Sequence, residues 1–188
     1  ADPSTRLLGH FGMMAMTQIR NLENYDFRFE EAYHLWEKQG RKMALQVKRD
    51  PATTGWDLLL AGGILGISGL QRAHHDQWIP ALRDGRWAVE ALRASRRADP
   101  QLIDPLLGIG LYDYWRSHYT RLVKFLPMFP DRRREGKEAV ARVMREGEAI
   151  APAAAIALAF LEYQEKDFSG VFQSVRPLRA RYPQNIIL

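Results

Sequence analysis

The stretch that decides the fold is residues 152–185, PAAAIALAFLEYQEKDFSGVFQSVRPLRARYPQN. Apolar residues recur in it every three or four positions, a spacing that places them on one face of an α-helix. The expected inward faces are Ala153, Ile156, Ala157, Phe160 and Leu161, then Phe168, Val171, Phe172, Val175 and Leu178. Asp167 is a good N-cap for the second helix, and Tyr182-Pro183 ends it because the residue before a proline avoids the helical region. The stretch therefore predicts a helical hairpin.

The same helical period continues through the rest of the chain, and no part alternates with period two over a useful length. A hairpin of this size cannot bury its apolar surface alone, so it needs neighbours of its own kind. We therefore expect an all-α chain of about eight helices, stacked as four antiparallel hairpins within a single domain, residues 1–188. The expected pairs are residues 6–50, 56–99, 102–150 and 152–183. Within them we expect polar connections at residues 74–80 and 125–132, so that the fourth helix begins at residue 81, and a tight turn at residues 165–167.

Composition narrows the function classes. The chain has 188 residues, 46% of them hydrophobic, and a net charge of +5 that is too small to indicate a nucleic-acid partner. It has no cysteine, which excludes disulfides, thiolate metal ligands and cysteine nucleophiles. The longest apolar run, LLLAGGILGISGL at residues 58–70, is shorter than the roughly 20 residues that span a bilayer, so we expect a buried core helix and no transmembrane segment.

The two ends of the chain suggest a piece of a longer protein. Ala1-Asp2-Pro3 fits a mature end left by signal cleavage as well as an arbitrary boundary. A mature end left by signal cleavage would slightly favour the periplasm or cell envelope over the cytoplasm. The apolar end Ile186-Ile187-Leu188 suggests that the stack continues, and the oligomeric state stays open.

Three of the expected helix pairs end in a proline, at Pro51, Pro100 and Pro183. This arrangement resembles the tetratricopeptide repeat family, which repeats two helices and places a proline after the second. In the last pair, the positions that match the family pattern are Leu158, Ala159, Val171, Val175 and Leu178. In and after the second pair they are Ala88, Leu92, Ser95 and Leu107-Gly108.

The resemblance implies a right-handed superhelical stack. Its concave side, lined by the first helix of each pair, would bind a peptide or protein partner. The closing prolines are spaced more widely than the family's repeat of about 34 residues, and Pro177 lies inside the last helix, where a proline should cost about 3 kcal/mol or kink the axis.

Several short motifs have a chemical reading and a structural one. Glu31 and His34 have the Glu-x-x-His spacing of carboxylate metal sites, but no second motif accompanies them. His74-His75-Asp76 is better read as an exposed connection, because adjacent side chains on a helix point about 100° apart. The glycines of GGILGISG and of Gly108-Ile109-Gly110 lack the strand and spacing of a phosphate loop and fit close helix packing. The run 131–137 mixes both charge signs and fits a solvated helix start.

One cluster has the residue types of a binding site. Large amphipathic rings beside an arginine are enriched at interaction hot spots. The candidate groove residues are Tyr112, Tyr114, Trp115, Arg116, His118, Phe160 and Tyr163. Helical spacing puts Tyr112, Trp115 and Tyr119 on one face, and Tyr114 with His118 on another.

These observations favour a non-catalytic scaffold that binds a peptide or protein in a groove, with no metal and no cofactor. One alternative is an enzyme or small-ligand binder with a pocket beside the aromatic helix, where His118, Asp113 and Tyr114 could supply acid–base chemistry. Another is a membrane-associated or envelope assembly subunit, on the basic charge and the N-terminal reading.

Overall fold

The computed structural model describes residues 3–24, 27–120 and 130–184. These segments contain helices and no strand, which confirms the all-α prediction. The helices are α1 (Pro3–Asn24), α2 (Glu30–Val47), α3 (Gly55–His74), α4 (Trp78–Ala98), α5 (Leu106–Thr120), α6 (Arg133–Glu146), α7 (Ala151–Gln164) and α8 (Phe168–Arg181). They follow one another as helical hairpins. The long connection expected at residues 125–132 lies mostly outside the described residues.

The connection between α3 and α4 is shorter than expected. The sequence reading began the fourth helix at residue 81, but α4 begins at Trp78 and includes Pro80. A proline is tolerated in the first turn because the backbone N–H groups there have no partner within the helix. Asp76 turns the chain with a φ of 57°, a left-handed conformation that aspartate adopts more readily than most residues.

Helix starts follow the capping chemistry of the sequence. Thr54 caps α3 by accepting a hydrogen bond from the Asp57 amide. Asp167 caps α8 as predicted, accepting from the Gly170 amide at 3.0 Å. Pro177 lies inside α8 with its side chain exposed.

The chain divides into two compact units, Ala1–Gly108 and Ile109–Leu188, which are described separately. Unit 1 contains α1 to α4. Its core consists of Leu7, Met14, Tyr33, Ala44, Leu60, Ala61, Ile64, Leu65 and Ala88. A Cβ on Gly62 would lie 2.6 Å from the Leu92 side chain, and one on Gly63 would lie 2.5 Å from the Phe11 ring. The glycines of α3 therefore let neighbouring helices approach closely.

A buried ionic network joins three helices of unit 1. Asp84 of α4 is completely buried. It accepts hydrogen bonds from Arg41 of α2 and forms an ion pair with Arg72 of α3. The Arg72 guanidinium also contacts Glu37, with an N–O distance of 2.7 Å. A charge buried this deeply is tolerated only when it is paired, so the network holds these helices in register.

Unit 2 contains most of α5 together with α6, α7 and α8. A Cβ on Gly110 would lie 2.5 Å from the Gly136 carbonyl oxygen, and one on Gly136 would lie 2.5 Å from the Gly110 carbonyl oxygen. Helices α5 and α6 therefore cross backbone against backbone. The buried side chains of unit 2 include Tyr114, Val140, Val143, Ala155, Leu158 and Leu161.

The expected inward faces of α7 and α8 are wrong in part. Ile156 and Phe160 of α7 are exposed, while Ala154, Ala155 and Leu158 are buried instead. On α8, Phe168 and Phe172 are exposed, and Gly170, Ser174 and Leu178 face inward. Helix α7 is apolar on nearly every side, so its periodicity could not select a face. The small residues are buried because they let α6 and α8 pack closely against α7.

Candidate functional site

One face of α5 is packed into unit 2. Asp113, Tyr114 and Ser117 are buried, and Tyr114 exposes only 1% of its surface. The Ser117 hydroxyl donates to the Asp113 carbonyl oxygen at 2.7 Å and accepts from the Arg132 amide at 2.9 Å. These bonds attach the segment before α6 to α5. The remaining side of α5 carries the half-buried and exposed aromatic residues.

Two rings of α5 and one of α7 form an aromatic ladder, in the order Tyr119–Trp115–Phe160. The Trp115 ring stacks on Tyr119 with centroids 5.8 Å apart and meets Phe160 of α7 at 5.9 Å. Tyr119 and Phe160 each expose more than half of their surface, whereas Trp115 is half-buried. The ladder therefore presents an aromatic surface that continues from α5 onto α7.

The ladder continues along α7 as an uncharged stripe. Ile156, Phe160 and Tyr163 follow one another at helical spacing, and each exposes more than half of its surface. The Tyr163 ring packs edge-on against Phe168 with centroids 6.1 Å apart. Exposed apolar surfaces of this kind on a folded domain mark interaction sites when they are contiguous.

A polar cleft of about 320 Å³ adjoins the ladder. It is lined by Tyr114, His118, Arg133, Gln164, Glu165 and Lys166. A neighbouring cleft of about 540 Å³ shares Arg133 and Glu165 with it and adds Asp131, Arg134, Glu135 and Lys137. The His118 ring connects the two kinds of surface, because it stacks on Tyr114 at 6.2 Å and meets Trp115 edge-on at 5.4 Å.

Ion pairs organise the charges in the cleft. The Arg133 guanidinium donates three hydrogen bonds to the Asp131 carboxylate, which raise the pKa of the guanidinium, and Lys137 pairs with Glu165 at 3.0 Å. Burial, with the nearby Glu165 carboxylate, raises the pKa of Tyr114 to about 12. The phenol therefore stays protonated near neutral pH and acts as a hydrogen-bonding group. The cleft is suited to binding polar groups.

The structure brings most of the sequence candidates together. The Trp115 ring contacts both His118 and Phe160, and the Tyr114 ring stacks on His118. The Arg116 guanidinium lies 5.9 Å from the Tyr112 ring centroid, and both side chains are half-buried. Tyr163 is on the same stripe of α7 as Phe160. Tyr114 is a core residue at the base of the cleft and offers little surface to a partner.

Sequence reasoning missed part of the site. Arg133, Glu165 and Lys166 line the cleft, although the sequence reading treated them as a charged helix start and a tight turn. Ile156 was assigned to the core. Only the folded chain shows that α6 begins beside the end of α7, so no local pattern could identify these residues.

The histidine motifs of unit 1 have partners other than those that the motifs suggest. His34 contacts Glu30 and Glu37 at 3.5 Å and 3.1 Å, whereas Glu31 is exposed. His75 contacts Glu30 at 2.8 Å, and His74 lies beside Gln18. Burial, and then His75, lower the pKa of His74. Among the described residues, no group of three histidine, aspartate or glutamate side chains is arranged to hold a metal ion.

The comparison with protein-family models finds no match to this chain, and neither the curated proteins nor the solved structures provide one. Among the helices that the structure describes, none combines the length and apolar character needed to cross a bilayer. The reading of function therefore depends on the geometry of unit 2.

Proposed function

We propose that this protein is a non-catalytic interaction module with tetratricopeptide-like helix pairs. Its binding surface in unit 2 is the Tyr119–Trp115–Phe160 ladder with Ile156 and Tyr163. The ligand is a segment of polypeptide whose apolar side chains cover the ladder. Helices α5 and α7 are the first members of the third and fourth pairs, the position from which tetratricopeptide-like stacks bind their partners.

The exposed stripe of α7 is the observation that carries this proposal. Ile156, Phe160 and Tyr163 leave most of their surface in water, although the helix that bears them is well packed on its other side. Taking a side chain of this size from full exposure to full burial is worth about 1.5–3 kcal/mol, so covering the exposed halves of two or three of them can anchor a peptide. Rigid rings supply contact area at little cost in conformational entropy.

The adjoining cleft supports the choice of a polypeptide. Peptide backbones and charged side chains need hydrogen-bonding partners next to their apolar contacts. The His118 ring, the Gln164 amide and the ammonium of Lys166 line such a place. A bound segment could therefore place apolar side chains on the ladder and a polar group in the cleft.

A small-ligand site at the same cleft is the second candidate. Its volume of about 320 Å³ lies at the lower end of the range for small-molecule pockets, which are mostly apolar. The lining here is rich in charges that already form ion pairs, and the Tyr114 phenol is too weak an acid to exchange protons at neutral pH. These features favour the peptide over the small molecule.

A displayed random-peptide library, selected on the full chain, tests the proposal directly. Affinities of the enriched peptides are then measured by fluorescence anisotropy. We expect the double variant Phe160→Ser/Tyr163→Ser to weaken binding by about a hundredfold, since two exposed anchors are lost. Lys166→Gln is expected to have a smaller effect, and only on peptides with an acidic group.

Phe172→Ser is the matched control. It removes a ring from α8 of the same unit that is more exposed than Phe160 or Tyr163, so it should leave the affinity unchanged. Circular dichroism of each variant would establish that it remains folded. The proposal is wrong if selection enriches no peptide, or if the enriched peptides bind Phe160→Ser/Tyr163→Ser as tightly as the unsubstituted chain.

A further inference from the structure

In unit 1, two ion pairs connect helices α2 and α4 and show that they point in the same direction. The ion pairs are Arg41–Asp84 and Lys48–Glu90. The second pair lies further along the sequence than the first on both helices, so the two helices run in the same direction. Leu35 lies six residues before Arg41 on α2, and Trp78 lies six residues before Asp84 on α4. Leu35 therefore lies level with the start of α4, where Trp78 is exposed.

Large apolar side chains are exposed at this end of the two helices. Ile79 exposes 82% of its surface, and Leu35 and Leu82 each expose 69%. With Trp78 they form what we term the apolar tip. These residues are among the most exposed large apolar residues of the described chain. The helices that carry them are otherwise well packed in unit 1.

Positive charge follows the apolar tip along both helices. The exposed cations are Lys38 and Lys42 on α2, and Arg83, Arg86, Arg93 and Arg97 on α4. The outer sides of the same helices carry two acids, Glu31 and Glu90, and Glu90 already contacts both Lys48 and Arg86. The other acids of α2 and α4 are engaged with histidine or arginine partners: Glu30, Glu37 and Asp84. The six exposed cations form what we term the basic face, and it has a net positive charge.

We propose that the apolar tip and the basic face together bind the surface of an anionic membrane. Ile79, Leu82 and Leu35 insert among the upper acyl chains, and Trp78 lies at the headgroup level that tryptophan prefers. The lysines and arginines behind them attract the phosphates of acidic lipids. The protein binds peripherally, and the Tyr119–Trp115–Phe160 ladder of unit 2 has no part in the contact.

The pairing of the two features selects this occupant. Nucleic acid or an acidic protein segment would satisfy the basic face, but the phosphate backbone of nucleic acid makes no favourable contact with exposed Ile79 and Leu82. A purely apolar partner would not use the net positive charge of the basic face. A lipid surface satisfies both because apolar insertion and anionic headgroups occur at the same boundary.

Flotation of the full chain with vesicles tests the proposal. One set of vesicles is phosphatidylcholine alone, and the other contains phosphatidylglycerol as well. We expect binding to the anionic set at low salt and much weaker binding to the neutral set. Lys38→Gln/Lys42→Gln/Arg97→Gln should lower the partition coefficient by about a hundredfold, and Ile79→Ser/Leu82→Ser by about tenfold or more.

Arg145→Gln/Arg176→Gln/Arg179→Gln is the matched control, because it removes the same charge from exposed positions of unit 2. It should bind anionic vesicles nearly as well as the unsubstituted chain. An equal loss in this control would attribute binding to overall charge and overturn the proposal, as would no flotation at low salt. Binding to heparin that tracks the basic-face variant, with vesicle binding unchanged by Ile79→Ser/Leu82→Ser, would identify a polyanion site instead.

Discussion

Arg41 donates two hydrogen bonds to Asp84, one to each carboxylate oxygen, at 2.6 Å and 3.0 Å. The two residues are far apart in sequence and lie on different helices. Because the carboxylate is fully buried, this contact and the Arg72 pair offset the cost of removing the charge from water. The network therefore links α2, α3 and α4 through one buried carboxylate.

Asp84→Asn should destabilise unit 1 strongly. The substitution removes the charge that two arginines face, and breaking a buried pair in this way costs about 3–5 kcal/mol. Urea unfolding followed by circular dichroism measures the loss. Glu90→Gln is the control: it removes an exposed partner from the same helix and should cost less than about 1 kcal/mol. Equal effects of the two substitutions would contradict the importance of the buried network.

The stability of unit 1 should fall in acid partly through Glu37. Burial would raise the pKa of this carboxyl, but hydrogen bonds from His34 and Arg72 outweigh it and lower the pKa below the ordinary value. A lowered pKa in the folded state gives stability that is present above the unfolded-state pKa and lost as the pH falls through the folded-state pKa.

Urea midpoints measured from pH 6 down to pH 3 test this dependence on Glu37. We expect Glu37→Gln to be less stable at pH 6 and to lose less further stability in acid than the unsubstituted chain. Glu31→Gln, at an exposed position of the same helix, should leave the profile unchanged. A Glu37→Gln profile parallel to the unsubstituted one would contradict the role of this carboxyl.

Gly136→Ala should disrupt the crossing of α5 and α6. Its Cβ would lie 2.5 Å from the Gly110 carbonyl oxygen and 2.9 Å from the Tyr114 amide nitrogen, so backbone has to move. Overpacking of this kind destabilises the fold by about 1–3 kcal/mol. This cost exceeds the stability gained because alanine has a higher helix propensity than glycine. Thermal unfolding of the full chain is the measurement.

Gly12→Ala is the contrasting change. A Cβ at this position of α1 meets no atom within 4 Å, so alanine should stabilise the helix by up to about 1 kcal/mol. A loss of stability here would show that the outer face of α1 is covered in solution.

Ser174→Ala should destabilise unit 2 through Glu162. The Ser174 hydroxyl donates to the Glu162 carboxylate at 2.8 Å, and both residues are buried. Without that donor the carboxylate loses a charge-assisted bond, at a cost of about 1–3 kcal/mol. Ser169→Ala, at an exposed position of the same helix, should have little effect in the same urea titration.

Much of the fold could be predicted because its signals are local. Helical period, the Asp167 cap and the uncharged run of α3 place helices without any knowledge of their neighbours. The glycines at residues 62 and 63 were correctly read as close packing, since no phosphate-loop pattern surrounds them. Pro80 misled the reading of α4, because a proline in a first turn looks the same in sequence as one in a connection.

The candidate site was predictable only in part. Residue type pointed to Trp115 and His118, and the structure places both at the aromatic surface. The burial of Tyr114 could not be foreseen, because two faces of α5 carry similar rings and only the approach of α6 at Gly110 chooses between them. The resemblance of the helical hairpins to tetratricopeptide repeats, and the right-handed superhelix that it implies, stay predictions.

The residues 152–185 show what sequence alone determined: a hairpin of two helices, its turn and its cap. These features depend on contacts between residues a few positions apart, so they are readable from spacing. Tertiary structure alone decided which side of α7 is buried, since that helix is apolar all round and its neighbours select the small side chains. It thereby left Ile156 and Phe160 in water. The same holds for Arg41 and Asp84, whose pairing requires two distant helices to meet.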